Sequence, residues 1–352
     1  MITTTIGLDL AKSVFQVHGV SSEGQVTIRR KLRRSELLSF FGDLPACLIG
    51  MEACATAHYW ARELAALGHD VRLMPPSYVK AYLRRQKNDA ADAEAICEAV
   101  TRPTMRFVPV KSAQRQAILT LHRTRELLVR QKTTLIRAIR SHCAEFGLVV
   151  PQGARRIFDL LELVRHADSS TFPEAAVLTV QMLGAQLDAL AIQVRTLERR
   201  LLGWHRENQT SQRLATIPGV GIITATAMAA SISDPSLFRS GREFAAFLGL
   251  VPRQSSSDYE RVDALPRTSG GKERLGRISK KGDGYLRKLL VMGATSVIRR
   301  ARSGVTPSAD WVQSLLLRRP SRVVTVAMAN KTARIAWAVM ARGENYRPTA
   351  TA

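Results

Sequence analysis

"TTTIGLDLAKSVFQVHGVSSEGQVTIRRKL", Thr3–Leu32, reads as three strands in a row. β-Branched and apolar residues fill "TTTIGLDLA" and "VFQVHGV", and the turn residues of "SSEGQ" join the second run to a third, "VTIRRKL". Ser35 is expected to cap a helix over "ELLSFFGDL", which leads to the apolar strand "CLIGMEA", the amphipathic helix "HYWARELAALG" and the strand "DVRLMPP". A three-strand meander followed by alternating helices and strands predicts a mixed-sheet α/β domain.

The ribonuclease-H-like fold has this order, and in it the first and fourth strands are neighbours. Asp9 at the end of the first strand and Glu52 at the end of the fourth then converge. Asp89 and Asp92 stand three residues apart at a helix start, a spacing that turns both to one helix face. Four clustered carboxylates repel unless cations sit among them. Hard oxygen ligands suit Mg²⁺ or Mn²⁺, and paired ions clamp the attacking and leaving oxygens of a phosphoryl transfer. Asp89 and Asp92 also suit the cap and third position of the helix in "NDAADAEAI". Asp9 has no such bland role, because an acid directly after an apolar strand is costly to bury without a partner.

From Lys111 the pattern turns helical. Ile118, Leu121, Leu128, Leu135 and Ile139 recur at helical spacing with arginines between, and "AAVLTVQMLGAQLDALAIQVRTLERRLLGWH" repeats the periodicity after the break "GLVVPQG". The two long helices are expected to pair as an antiparallel coiled coil. The remainder reads as a basic helical domain, so the predicted division is 1–110, 111–205 and 206–352. Within the last part, "TIPGVGIITATAMAASI" matches a helix-hairpin-helix turn in which Gly219 and Gly221 present backbone N–H groups to a DNA phosphate. A plain turn between helices is the alternative.

Lysine and arginine number 52 against 29 aspartates and glutamates, a net charge of +23. A nucleic-acid partner follows from that imbalance. No apolar stretch is expected to reach the roughly 20 residues of a membrane span, and the N-terminus lacks the basic start and apolar core of a signal peptide. A cytoplasmic, nucleoid-associated protein is expected. Cys47, Cys54, Cys97 and Cys143 form no CxxC pair, and His18, His58, His69, His122, His142, His166 and His205 show no zinc-ligand spacing. The cysteines are read as reduced and structural.

"PRTSGGKERLGRISKKGDGYLRKLL", Pro266–Leu290, sets Ser269 and paired glycines before a basic run. A Walker loop is excluded, since Pro266 stands where its first glycine belongs and Glu273 follows Lys272 in place of Ser or Thr. Lys272, Arg274, Arg277, Lys280, Lys281, Arg287 and Lys288 supply positive charge for a phosphate, yet no nearby histidine or acid pair marks a general base. Local chemistry leaves a nucleophilic serine and a solvated basic loop both open.

The blocks "GLDLAK", "GMEACATAHYW", "KNDAADAEAI", "IPGVGIITATAMAA", "FAAFLGLVPRQ" and "TSGGKERLGRISKKGDGYLRKLL", in that order and spacing, resemble the insertion-sequence 110 family of transposases, the bridge-RNA-guided serine recombinases. The resemblance covers nearly the whole chain. It implies an N-terminal RuvC-like domain with a DEDD acid set, here Asp9, Glu52, Asp89 and Asp92, binding Mg²⁺ or Mn²⁺. It also implies a C-terminal transposase domain whose serine, here Ser269, attacks DNA. A central coiled coil would support a homo-tetramer, or dimer of dimers, around a non-coding bridge RNA that pairs with donor and target DNA. Composite sites would then join one subunit's acids to another's serine. The segment "SSSDYERVDALPR" intervenes between Gln254 and Thr268, where the family keeps a shorter spacing; Ser257 fits that spacing but is followed by Asp258, whereas Ser269 keeps Gly270 and "GRISKKGD". Two other readings stand beside this one: a metal-dependent nuclease or junction resolvase whose acids activate water, and a nucleic-acid scaffold without catalysis.

Overall fold

The computed structural model describes residues 2–82, 89–153, 155–168, 171–253, 276–303 and 309–348, the side chains of Asp89 and Ala309 excepted. Its contacts divide the chain into two compact units, Met1–Gln116 and Ala117–Ala352.

In the first unit, β1 (Thr5–Leu10), β2 (Val14–Val20), β3 (Val26–Arg33), β4 (Leu48–Glu52) and β5 (Asp70–Met74) form one sheet in the order β3-β2-β1-β4-β5. β1 runs antiparallel to β2 and parallel to β4, and β5 continues parallel beside β4. The mixed sheet, the β1–β2–β3 meander and the pairing of β1 with β4 are those the sequence predicts. Position in the sheet explains composition. Central β1 is nearly continuously apolar because both its faces are covered, whereas β3, at the edge, exposes Arg29, Arg30, Lys31 and Arg33.

Each sheet face carries its own core. α1 (Leu37–Gly42) and α2 (Ala57–Ala66) cover one face, where Leu37, Phe41, Trp60 and Leu64 pack on Ile6, Leu8, Ile49 and Met51. Burying each such side chain contributes roughly 1.5–3 kcal/mol. The short α3 (Pro76–Val79) and α4 (Asp89–Val100) cover the other face, with Val79, Ile96, Ala99 and Val100 against Met74. Ser35 does not cap α1. A 3₁₀ turn over Arg34–Glu36 precedes that helix; Glu36 accepts the Arg33 backbone N–H at 2.8 Å and closes the turn, while no side chain caps α1 itself.

α4 lies close to the sheet because two glycines let it. A Cβ on Gly7 would stand 2.1 Å from the Ala93 carbonyl oxygen, and one on Gly50 would stand 2.7 Å from Val100 Cβ. Any side chain at either position would push α4 off β1 and β4.

The second unit holds most of α5 (Ala113–Glu145), then α6 (Arg156–Arg165) and α7 (Glu174–Glu207). α5 and α7 run antiparallel: Ile118 shares a cluster with Leu201, and Ile139 shares another with Val180 and Leu187. α6, absent from the sequence reading, inserts Ile157, Leu160 and Val164 into the second cluster. α7 is, by length and composition, apolar enough to cross a membrane, contrary to the expectation that no stretch would be.

α8 (Gln209–Ala215), α9 (Ile222–Ser231), α10 (Gly241–Phe247), α11 (Gly284–Ala301), α12 (Ala309–Leu316) and α13 (Ser321–Arg342) follow. Leu214, Met228, Phe244, Leu286, Val312 and Met328 show that all six share one core. Three of the four cysteines, Cys47, Cys97 and Cys143, are buried free thiols as expected of structural residues, but Cys54 is exposed. Burial pushes the Cys47 and Cys97 thiols up to about 11, which keeps them protonated and unreactive.

Candidate active site

Strand alternation carries the acids to one face. Gly7 and Gly50 face α4, so Asp9 and Glu52, each two residues further along the same strand, face it too. The β1–β4 pairing runs to Leu8 opposite Met51, and one more step in register sets Asp9 beside Glu52. α4 runs antiparallel to β1, since Cys97 Sγ meets the Thr5 carbonyl at 3.7 Å while Ala93 lies over Gly7. Its first turn, carrying Asp89 and Asp92, therefore lies toward the Asp9 end of the strand.

Asp92 Oδ1 is buried and makes no hydrogen bond among the described residues. A carboxylate oxygen in that state is costly unless a cation or donor meets it. That orphaned oxygen, one residue before the Ala93 that covers Gly7, fits a divalent cation with hard oxygen preference. Among the described residues no three acidic, histidine or cysteine side chains gather closely enough to hold an ion alone. The side chain of Asp89, the fourth acid, lies outside those residues.

The C-terminal residues divide. Ser269, Lys272 and the alternative Ser257 lie outside the described residues. The chain on either side of that segment is paired: Arg253 N–H donates to the Arg277 carbonyl at 3.0 Å, and Ser279 N–H to the Val251 carbonyl at 2.8 Å. Gly249 (φ +69°) and Gly282 (φ +74°) permit the crossing beside this pair, where a Cβ on Gly282 would lie 1.9 Å from the Phe247 carbonyl oxygen. Lys280 adopts φ +55°, a left-handed conformation unusual for a side-chain-bearing residue, and donates its N–H to Gly249. Arg277, Lys280 and Lys281 are exposed. Arg287 is half-buried and donates at 2.9 Å to the carbonyls of both Leu248 and Lys281, which ties the basic loop to the end of α10.

Gly219 (φ +85°) and Gly221, which precedes α9, line a separate cleft of about 690 Å³ together with Arg125, Tyr285, Lys288 and Arg300. Lys288 pairs with Glu126 at 3.2 Å and Arg125 with Glu198 at 2.6 Å. Tyr285 forms part of a cluster that sequence reasoning missed: its hydroxyl lies 3.0 Å from Nδ1 of His122, a residue 1% exposed and 163 positions away. No local pattern links residues so distant. Burial, with the nearby Arg125 charge adding to it, pushes His122 down to about 4, so the imidazole is neutral at neutral pH.

Between pH 6.5 and 4 the unfolded chain gains a proton at His122 that the native fold refuses. His122 therefore supports the fold above that window and ceases to do so as pH falls through it, a loss of roughly 2 kcal/mol between pH 7 and pH 5. Urea denaturation at the two pH values should show that loss in the wild type and its absence in His122→Asn.

Residues 6–146 match an IS110-type DEDD family model described as a transposase, and residues 211–307 match that of the transposase IS116/IS110/IS902 family. A probable family 20 transposase of Pseudomonas aeruginosa is 48% identical over 99% of this chain and its own full length. A putative transposase of Sinorhizobium fredii is 46% identical over 97% of this chain and 85% of its own length. The transposase for insertion sequence element IS1328 of Yersinia enterocolitica is 38% identical over 97% of both chains. Matches to both domain types in the expected order, together with relatives aligned end to end, show that the chain belongs to the IS110 family of transposases.

Proposed function

We propose that this transposase cuts and rejoins DNA through a covalent phosphoserine at Ser269, with a divalent ion, Mg²⁺ or Mn²⁺, held by Asp9, Glu52, Asp89 and Asp92. The observation that carries the reading is the buried, unpartnered Asp92 Oδ1 in the first turn of α4, the helix packed on the sheet face that carries Asp9 and Glu52. Such an ion, when bound, supplies a Lewis acid that draws charge from a phosphoryl oxygen.

Attack forms the Ser269 Oγ–phosphorus bond and breaks one phosphorus–oxygen bond of the DNA strand. The displaced deoxyribose hydroxyl takes up the proton the serine gives away. A different hydroxyl then reverses the exchange, so the phosphoester energy is kept and ATP is not needed. Arg277, Lys280 and Lys281 hold the scissile phosphate, with Lys272 beside them in sequence, while Arg287 braces their loop through its carbonyls. Gly219 and Gly221 act as a helix-hairpin-helix grip on the DNA backbone away from the reacting bond.

The serine obtains its missing base from a second copy's acid face, in a composite site within a tetramer or dimer of dimers. Support for that assembly comes from α7, where exposed Leu178, Met182, Ala185, Ala189 and Ile192 recur every three and four residues. Met182 is 59% exposed, and this spacing is the seam of an interchain coiled coil. Donor and target DNA are selected by pairing with a non-coding bridge RNA, in the cytoplasm at the nucleoid.

Purified protein with Mg²⁺, donor DNA, target DNA and RNA transcribed from the region flanking its gene should yield joined donor–target strands. Omitting the RNA should abolish joining. Joining that proceeds equally without RNA would remove the guide from the account, and free hydrolysed ends would favour the nuclease reading.

A further inference from the structure

A pocket of about 640 Å³ in the first unit is lined by Lys12, Ser13, Arg33, Arg34, Ser35 and Trp60. We propose that it is a phosphodiester-binding site for a nucleic-acid strand, distinct from the acid face. The pocket lies where the β1–β2 turn meets the end of β3. Trp60 belongs to the α2 side of the sheet, whereas the acids face α4.

Its chemistry selects an anion. Lysine, arginine and the indole are donors without acceptors, and the serine hydroxyls donate as readily as they accept. No carboxylate lines it among the described residues. The nearby Glu36 carboxylate accepts the Arg33 backbone N–H. Ser35, displaced from its expected role, caps neither the 3₁₀ turn nor α1 and keeps its hydroxyl for a ligand.

Two features distinguish this corner from a solvated basic surface. Arg34 is held in place: its guanidinium lies 4.9 Å above the Trp60 ring, and its backbone N–H donates to the Ser13 carbonyl at 3.1 Å. A stacked guanidinium loses less freedom on binding a phosphate than a free one. Trp60 is 4% exposed, yet its indole N–H is buried with no hydrogen bond among the described residues. Buried donors are almost always satisfied, and a phosphate oxygen is the acceptor the surrounding cations would bring.

The ligand is a strand, not a free ion. Arg30, on the same α1 side of edge strand β3, with its guanidinium 5.3 Å from the Phe40 ring, continues the positive charge beyond the pocket to where a neighbouring phosphate would lie. The choice of a nucleic acid rests on the proposed function. Binding is therefore read with the metal chelated: a protein that binds but never cuts would sink that function and leave the pocket standing.

Fluorescence anisotropy of labelled DNA duplex and labelled single-stranded RNA, each titrated with full-length protein over a range of salt, tests the site. Arg33→Gln/Arg34→Gln, both at the surface, should reduce the magnitude of the slope of log affinity against log salt by about 1.8 on duplex, or about 1.4 on a single strand. Arg34→Lys should keep the wild-type slope. Trp60→Phe preserves a ring for Arg34 and removes the N–H, and should weaken binding about tenfold with little change in slope. A slope change with only one of the two nucleic acids supports the site and identifies its strand. Slopes unchanged with both, or wild-type affinity in a folded Trp60→Phe, would overturn it.

Discussion

Asp92→Asn is expected to lower Mg²⁺-dependent DNA strand cleavage by about a thousandfold while leaving the melting temperature in chelator equal to or above that of the wild type. The rate loss corresponds to about 4 kcal/mol of transition-state stabilisation, the scale on which a metal-held charge acts. The stability effect has the opposite sign because Asp92 Oδ1 is buried without a hydrogen bond among the described residues, and an ionised oxygen there burdens the metal-free fold. Asparagine keeps the shape and removes the charge. Adding Mg²⁺ should raise the wild-type melting temperature by linkage and leave the variant unmoved. A variant that melts far below the wild type would instead make Asp92 a structural residue of the helix start.

Ser269→Ala is expected to abolish strand joining, with a loss of at least about ten-thousandfold, since a covalent nucleophile has no substitute within its own step. Ser257→Ala should join strands at close to the wild-type rate. Gel analysis of labelled donor and target strands distinguishes the two. Joining that survives in Ser269→Ala and disappears in Ser257→Ala would transfer the role to the shorter family spacing.

Much of the first unit was legible in the sequence because strand alternation is a local signal. Runs such as "VFQVHGV" announce a strand by composition, and β2 spans those seven residues. Once the strand order was read, Asp9 and Glu52 followed as neighbours, because both stand at the ends of strands that pair in parallel. The device that seats α4 over them was not legible. Gly7 and Gly50 look like weak points of a strand until Ala93 and Val100 are found against them.

Other features depend on tertiary partners. α6 carries a short apolar pattern between two much longer helices, and its place is set by the Ile139–Val180 cluster it completes. Ser35 had the sequence context of a cap, but the chain tightens into a 3₁₀ turn that Glu36 closes. Arg287 looked like one cation among several in a basic run. It is fixed by two carbonyls, a role that requires the crossing at Gly249 and Gly282.

The central claim is a covalent bond between Ser269 and DNA. The direct measurement traps the wild-type protein on a nicked donor duplex with target DNA, guide RNA and Mg²⁺, digests it, and maps the nucleotide-bearing peptide by mass spectrometry. The account predicts a phosphodiester on Ser269 that disappears when the metal is chelated. Cleaved DNA with free hydrolysed ends and no nucleotide on any serine would contradict it.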